Sequence, residues 1–202
     1  MRIILTISLL VLSTILLAQE DSSLLLESAE SQKELNELYL NQETSILEID
    51  DFKKFKGLEF YPIDSKYIVR ARFIRTPNEK PFLMPTSTSR LPEYVKYGEA
   101  HFNLDGKELI LSLYQNIDLA KDSEYAEYLF LPFTDLTSGN GSYGGGRYLD
   151  LQIPKGDSLI IDFNKAYNPY CAYNSKYSCP IPPEENDILV SIKAGVKDYN
   201  KS

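Results

Sequence analysis

Side chains that could catalyse a reaction or bind a ligand are concentrated in the last third of the chain, from about Leu129 to Lys197. Acidic, basic and amide side chains alternate there with tyrosines, in segments too polar to be ordinary core. Carboxylate, guanidinium and amide groups place hydrogen-bond donors and acceptors in fixed directions, and tyrosine rings can form the walls of a pocket. The candidate ligand-binding residues are Asp135, Arg147, Asp162, Asn164 and Asn168, with Tyr143 and Tyr170 as walls.

Three functions are compatible with this set. The first is binding of a small polar ligand, such as a sugar or cell-envelope fragment, in a water-accessible hollow where Asp135, Arg147 and Asn164 meet. The second is a hydrolase of the phosphoester or glycan type, with Asp135 and Asp162 as paired carboxylates and Arg147 as a clamp. The third is a structural envelope module without a ligand, because Asn, Asp and Pro also specify turns for purely structural reasons. The sequence leaves all three open, and we expect polar-ligand binding.

The only histidine, His101, decides against several kinds of catalysis. A catalytic triad of the Ser-His-Asp or Cys-His type needs an imidazole, and His101 is predicted on the solvent side of a hairpin. No metal-ligand spacing is recognisable, so we predict no cofactor. If the hydrolase used a metal, Ca²⁺ or Mg²⁺ held by oxygen ligands would suit these side chains better than zinc.

The N-terminus has the pattern of a signal peptide over residues 1–18. Arg2 supplies the positive charge, Ile3 to Leu17 form an apolar run of 15 residues, and Ala18 precedes a polar segment. A membrane-spanning helix needs about 20 apolar residues, so this run is short for an anchor. We therefore predict an exported protein, periplasmic or secreted, with no stable membrane span after the signal is removed.

Export changes the interpretation of the two cysteines, Cys171 and Cys179, which are the only ones in the chain. An oxidising compartment favours joining them in a disulfide. The loop that they would close is short, and the chain-entropy estimate gives roughly 2.5 kcal/mol of stabilisation. Two buried free thiols are the alternative.

The charge balance argues against one class of partner. The chain carries 21 Lys+Arg and 29 Asp+Glu, a net charge of −8. Removing the predicted leader takes away only Arg2, so the mature chain would carry 20 − 29 = −9. Such a surface repels phosphate backbones, and we predict no nucleic-acid partner.

The elements that must position these residues are mainly β-strands. Helical periodicity covers residues 22–40, and a second short helix is predicted from Ile46 to Phe55, ending at Gly57. Residues 19–56 would form a helical arm, followed by a β-rich domain over residues 57–202. The fold class is α+β, mainly β: an antiparallel β-sandwich or open barrel with an N-terminal helical arm.

The strongest local signal is a hairpin at Asp105-Gly106, because a type I′ turn needs positive φ at both positions. This turn pairs Leu104 with Lys107, which puts leucines on one face and His101 on the other. The predicted strands are Tyr67 to Ile74, Tyr128 to Pro132, Arg147 to Ile153, Ser158 to Phe163 and Ile188 to Ala194.

The polar block also resembles a family signature. The relevant segments are GRYLD at residues 146–150, DFNKAYNPYCAYN at 162–174 and CPIPPEEN at 179–186, with further matches at 55–58, 61–64 and 85–88. These segments resemble the uncharacterised bacterial and archaeal family catalogued as domain of unknown function 1684. Ser142 departs from the threonine common in that family but keeps a hydroxyl. The resemblance covers nearly all of the mature chain and implies no particular activity, because the family has no settled one.

Overall fold

The computed structural model describes residues 22–199. The predicted signal peptide, residues 1–18, lies outside these residues. Within the described range, no helix is long and apolar enough to cross a membrane.

One curled antiparallel sheet forms the body of the protein. Its strands in chain order are β1 (Ile68–Arg75), β2 (Phe82–Leu83), β3 (Glu93–Leu104), β4 (Lys107–Asn116), β5 (Tyr128–Phe133), β6 (Arg147–Gln152) and β7 (Ser158–Asp162). The order across the sheet is β6-β5-β4-β3-β1-β7, and β2 pairs with β3. The sheet curls into a half-barrel, which confirms the predicted mainly β fold in its open-barrel form.

The helical part lies N-terminal to the sheet. Residues 22–40 are helical, as predicted, and form α1. The second helix, α2 (Ile49–Phe52), is shorter than the predicted one. Gly57 follows it with a φ of 123°, a backbone conformation that glycine adopts without steric cost.

The hairpin between β3 and β4 has the predicted register. Leu104 pairs with Lys107, and Ala100 pairs with Leu111. Asp105 and Gly106 have φ angles of 55° and 75°, as a type I′ turn requires. Both strands extend beyond the predicted hairpin, and the ladder shifts register between Lys96 and Gly98.

The main core fills one face of the curled sheet. Alternate residues of each strand contribute to it, as the period of a β-strand requires. Leu129, Leu131 and Phe133 of β5 have no exposed area. The final segment, residues 188–196, lies against the same face and buries Ile192 and Ala194 completely.

The predicted strand from Ile188 to Ala194 is wrong, because this segment forms no strand. Alternate residues are buried, which explains the strand-like pattern in the sequence. The backbone partners, however, are loop atoms and side chains. The Ile192 N–H donates to a carboxylate oxygen of Asp135, and the Val190 carbonyl accepts from Leu136 N–H.

The backbone ladder between β4 and β5 is short, with Tyr114 paired to Phe130. The side-chain amide of Asn186 joins the two strands by hydrogen bonds where backbone pairing is missing. Its oxygen accepts from Ser112 N–H at 2.7 Å, and its nitrogen donates to the carbonyl oxygens of Ser112 and Pro132 at 2.9 and 2.7 Å. Asn186 is fully buried, and all of these bonds replace backbone pairing inside the sheet.

Candidate functional site

Asp135 and Arg147 form a sealed ion pair. Neither side chain has exposed area, and the distance from Arg147 Nη2 to Asp135 Oδ1 is 3.4 Å. Arg147 also donates to the carbonyl oxygens of Ile192, at 2.8 Å, and of Ala194. Burial lowers the pKa of Arg147, and the neighbouring Asp135 carboxylate acts in the opposite direction. The pair therefore fastens the final segment to the edge of the sheet.

Hydroxyl groups complete the coordination of this pair. Thr137 Oγ1 lies 2.8 and 3.0 Å from the two carboxylate oxygens of Asp135, and Ser142 Oγ lies 2.8 Å from Thr137 Oγ1. All of these residues are buried. The expectation that Asp135 and Arg147 line a water-accessible hollow is wrong, because neither side chain reaches solvent. Among the described residues, Arg147 Nε has no hydrogen-bond partner, whereas both terminal nitrogens of the guanidinium are bonded.

Asp162 and Asn164 form a second, separate cluster at the end of β7. Asp162 Oδ1 accepts from Asn164 N–H and from Asn164 Nδ2, both at 2.9 Å. Its other oxygen accepts from Ser28 Oγ of α1 at 2.6 Å. The Asn164 amide pairs with the backbone of Asp64, accepting at 3.0 Å and donating at 3.1 Å. This cluster fixes α1 and the turn before β1 to the sheet.

Asn168 and Tyr143 lie in two further places. Asn168 is fully buried, and its Nδ2 donates to Tyr173 Oη at 3.1 Å and to the Lys197 carbonyl at 2.9 Å. Tyr143 is half-buried beside Cys171. The predicted site residues are therefore distributed over several clusters. Asp135 and Asp162 belong to different ones and do not form a carboxylate pair.

A large groove lies away from the Asp135–Arg147 pair, and we name it the tyrosine groove. It has a volume of about 1130 Å³ and lies between α1 and the seam where β6 and β7, the two ends of the strand order, approach each other. A bridge between Tyr148 and Tyr167 joins one end of that seam. The aromatic residues that line the groove are Tyr94, Tyr125, Tyr128, Phe130, Tyr148, Tyr167 and Tyr170.

The rings of the groove are packed edge to face. Phe130 and Tyr148 have ring centroids 4.7 Å apart at 75°, and Tyr148 and Tyr167 are 5.9 Å apart at 88°. This arrangement holds aromatic rings rigidly. Tyr148 is buried at the floor, whereas Tyr170 is 38% exposed. Of the predicted site residues, Asp162 and Tyr170 line this groove.

Asp150 is the polar centre of the groove. Its Oδ1 accepts hydrogen bonds from Tyr128 Oη at 2.6 Å and from Tyr167 Oη at 2.8 Å. Burial, reinforced by the Asp150 carboxylate, raises the pKa of both tyrosines, so both phenols stay protonated and donate. Asp150 itself is exposed. The cluster therefore offers acceptor oxygens to a ligand: the carboxylate and the lone pairs of the phenols.

The remaining charges of the groove are partly paired. Lys165 Nζ lies 3.4 Å from Glu27 of α1 and 3.9 Å from Asp162. Arg90, on the other wall, donates to the Ser178 carbonyl at 2.9 Å. The groove thus presents aromatic rings and the exposed carboxylates of Glu27, Glu34 and Asp150, with its lysine and arginine already engaged by the protein.

The alternation of residues along β6 indicates one part of this groove. Tyr148 and Asp150 lie on the face of β6 opposite to Leu149, so an exposed acidic residue beside a tyrosine was predictable from strand alternation. The partners Tyr128 and Tyr167 come from other parts of the chain. Tyr128 lies on the neighbouring strand β5, whereas Tyr167 follows β7 and reaches Asp150 only because the sheet curls, which single-strand patterns do not reveal.

The predicted disulfide between Cys171 and Cys179 is not formed: both are free thiols. The fold does bring them together, since the two cysteine side chains lie 3.3 Å apart, compared with about 2.05 Å for a disulfide bond. Cys171 N–H donates to Cys179 Sγ at 3.2 Å. The predicted disulfide bond is therefore absent, although the two residues are direct neighbours.

The described residues contain no group of three or more His, Cys, Asp and Glu side chains placed to hold a metal ion. His101 lies on the polar face of β3, as predicted, where its Nε2 is 3.0 Å from Glu99 Oε2. Glu99 also pairs with Lys96 at 2.7 Å. These contacts form a surface ion cluster away from the groove.

Fold and groove together define an antiparallel half-barrel that carries an aromatic groove along its open seam. The chain belongs to the family described as "Protein of unknown function (DUF1684)", which matches residues 53–197. The resemblance seen in the sequence is thereby confirmed.

A solved structure is also similar to this chain. It is the solution NMR structure of the uncharacterized protein from gene locus rrnAC0354 of Haloarcula marismortui, with 29% sequence identity and a TM-score of 0.67. The match covers 89% of this chain and 96% of that one. No functionally curated protein matches the chain.

Proposed function

We propose that this protein is exported and binds a small polyhydroxylated ligand of the sugar type in the tyrosine groove. The observation that carries the proposal is the convergence of Tyr128 and Tyr167 on Asp150 inside an open aromatic cavity. Binding sites combine apolar or aromatic walls with a few polar groups that fix orientation. The proposed site differs from the one expected from sequence and shares Asp162 and Tyr170 with it.

The ligand class follows from the groups exposed in the groove. An aromatic ring offers a flat apolar face, which matches the C–H face of a pyranose. Asp150 and its two phenols offer acceptors, which match ring hydroxyl donors. Lys165 and Arg90 are engaged by protein atoms, so the groove is less suited to a phosphate or carboxylate than to a neutral hydroxylated molecule.

The hydrolase alternative is less well supported. Its two candidate carboxylates are Asp135, which is sealed against Arg147, and Asp162, which borders the groove but is only 6% exposed and accepts bonds from Ser28 and Asn164. General acid–base catalysis needs a group within hydrogen-bond reach of the substrate. The structural alternative describes Asp135, Arg147, Asn164 and Asn168 well and leaves the open groove unexplained.

Calorimetric titration of neutral mono- and oligosaccharides against the purified chain tests the proposal. We expect one binding site per chain. Asp150→Asn should weaken binding by about tenfold or more, because a lost hydrogen bond to a charged group contributes about 1.5–3 kcal/mol. Tyr170→Ala should also weaken binding, because it removes an exposed aromatic face of the groove. Asp187→Asn is the matched control, since Asp187 is also exposed and accepts a hydroxyl hydrogen bond, from Thr134 at 2.9 Å.

Unchanged affinity in Asp150→Asn would refute this location for the site. A panel in which no saccharide binds, while an organic amine or anion does, would refute the ligand class. Export is tested separately, by measuring the N-terminal residue and the compartment of the protein expressed with residues 1–18 intact.

A further inference from the structure

The two cysteines differ in their exposure to solvent, which a purely structural pair of buried thiols would not require. Cys171 belongs to the short 3₁₀ turn Tyr170–Ala172 and is half-buried, whereas Cys179 is only 7% exposed. Their side chains lie 3.3 Å apart. Cys171 is therefore the more exposed of the two residues, and Cys179 lies directly beside it.

Hydrogen bonds around the pair distinguish the two sulfurs further. The thiol of Cys179 and the hydroxyls of Ser87 and Tyr143 lower the pKa of Cys171 to about 6, with the Cys179 contact the largest cause and burial opposing it. The same contact and burial raise the pKa of Cys179. The phenols of Tyr148 and Tyr170 also face the pair. An accessible thiol held as thiolate beside a protonated partner is typical of thiol–disulfide exchange.

We propose that Cys171 and Cys179 form a redox-active dithiol, in which Cys171 is the attacking nucleophile and Cys179 is the resolving thiol. The substrate is a disulfide, of which oxidised glutathione is the simplest probe. Cys179 borders the tyrosine groove, but the exchange chemistry needs no ligand bound there.

The reaction runs in two balanced steps. The Cys171 thiolate attacks one sulfur of glutathione disulfide, so that the S–S bond of glutathione breaks and one glutathione leaves and takes up a proton. The product is a mixed disulfide on Cys171. The Cys179 thiol then loses its proton and attacks the Cys171 sulfur, which releases the second glutathione. Two protein thiols are oxidised to one disulfide, and one glutathione disulfide is reduced to two thiols.

The geometry favours the second step. The sulfur of Cys179 needs to approach Cys171 by only about 1.3 Å to reach disulfide bond length. Cys179 is anchored on its other side, because its N–H donates to Ser87 Oγ at 3.0 Å and its carbonyl accepts from Ser87 N–H at 2.8 Å. The 3₁₀ turn that carries Cys171 would supply the movement.

Mass spectrometry of the reduced full-length chain after exposure to oxidised glutathione tests the proposal. The wild-type protein should end with the internal disulfide and no adduct. C179S should retain one glutathione on Cys171, because the resolving thiol is missing. C171S should form an adduct at least tenfold more slowly, because Cys179 is buried and protonated. The reaction is run near about pH 8.5, the ordinary pKa of a thiol, so that loss of Cys179 does not itself silence Cys171.

Equal adduct rates in C171S and C179S would overturn the assigned roles, and a wild-type protein that keeps a stable adduct would overturn the resolving step. A second measurement needs no variant. Alkylation of reduced wild-type protein by iodoacetamide should modify Cys171 before Cys179, with a rate that rises through a midpoint near pH 6. A midpoint near the ordinary thiol value, or prior modification of Cys179, would contradict the proposal.

Discussion

The buried pair of Asp135 and Arg147 makes the most specific forecast about this fold. Asp135→Asn keeps the shape of the side chain and removes its charge, which leaves the Arg147 guanidinium without a counter-ion at zero exposure. The substitution also weakens the acceptor of Ile192 N–H, now at 2.6 Å, and of Thr137 Oγ1. Removing one partner of a buried ion pair costs about 3–5 kcal/mol, because the remaining charge is uncompensated.

That loss translates into a large change in melting temperature. For a domain of this size, 1 kcal/mol shifts Tm by about 2–4 °C, so Asp135→Asn should lower it by about 6–20 °C. Urea unfolding followed by circular dichroism at constant pH measures the same loss as a shift of the midpoint. The slope should stay unchanged if the folded state remains compact.

Asp118→Asn is the matched control for this experiment. Asp118 also accepts from a basic side chain, Lys121 at 2.6 Å, but its side chain is 81% exposed. Surface pairs of this kind contribute little to stability, so Tm should not change measurably. If Asp135→Asn unfolded with the stability of the wild type, the pair could not be sealed as described, and the assignment of Asp135 as a bracing residue would fail.

Three further predictions concern other buried or strained positions. Asn186→Ala removes the three amide hydrogen bonds that join β4 to β5, and the free energy of unfolding should fall by roughly 2–4 kcal/mol in urea titration. Gly195→Ala places a Cβ 2.4 Å from the Ala166 carbonyl oxygen at a φ of +73° and should lower the free energy of unfolding by at least about 2 kcal/mol. Gly106→Ala, also at positive φ but in open space, should lower it by less. Equal losses would contradict the crowding argument. Hydrogen bonds from a lysine and a histidine lower the pKa of Glu99, so its contribution is present above the unfolded pKa of about 4.3 and disappears as pH falls through the folded value. Glu99→Gln should therefore reduce the fall in Tm between about pH 5 and pH 3, and an unchanged pH profile would argue against that contribution.

Much of the fold could be predicted because local signals agreed with the final structure. The Asp105-Gly106 turn fixes the register of its hairpin through backbone geometry alone, and the observed pairing is the predicted one. The helical periodicity of residues 22–40 has no Gly or Pro to interrupt it, and these residues are helical.

The failures arise where tertiary contacts replace local ones. Residues 188–194 alternate in burial like a strand, yet Arg147 and Asp135 satisfy the backbone that a neighbouring strand would otherwise bond. No sequence pattern separates these two ways of pairing an extended chain. The short α2 shows the same limit, because its predicted continuation to Phe55 is overridden by the turn that leads into Gly57.

The sequence indicated the kinds of residue that form the candidate site better than it indicated their positions in the fold. Polar residues such as Asp135, Arg147 and Asn164 are suited equally to a pocket and to a buried brace, and the distinction is solvent exposure, which depends on the whole fold. Asp150 was inconspicuous in the sequence because its partners, Tyr128 and Tyr167, lie 22 and 17 positions away.

The inward-packed tail has a consequence for the order of folding. The interior of the curled sheet is filled by Ile188, Ile192 and Ala194. Arg147 donates to carbonyl groups that lie 45 and 47 positions further along the chain. Such distant contacts form late, because closing a long loop costs entropy before any contact repays it. The interior of the half-barrel therefore stays unfilled until residues 188–196 have packed against the sheet, so completion of the core depends on a segment far along the chain from its partners.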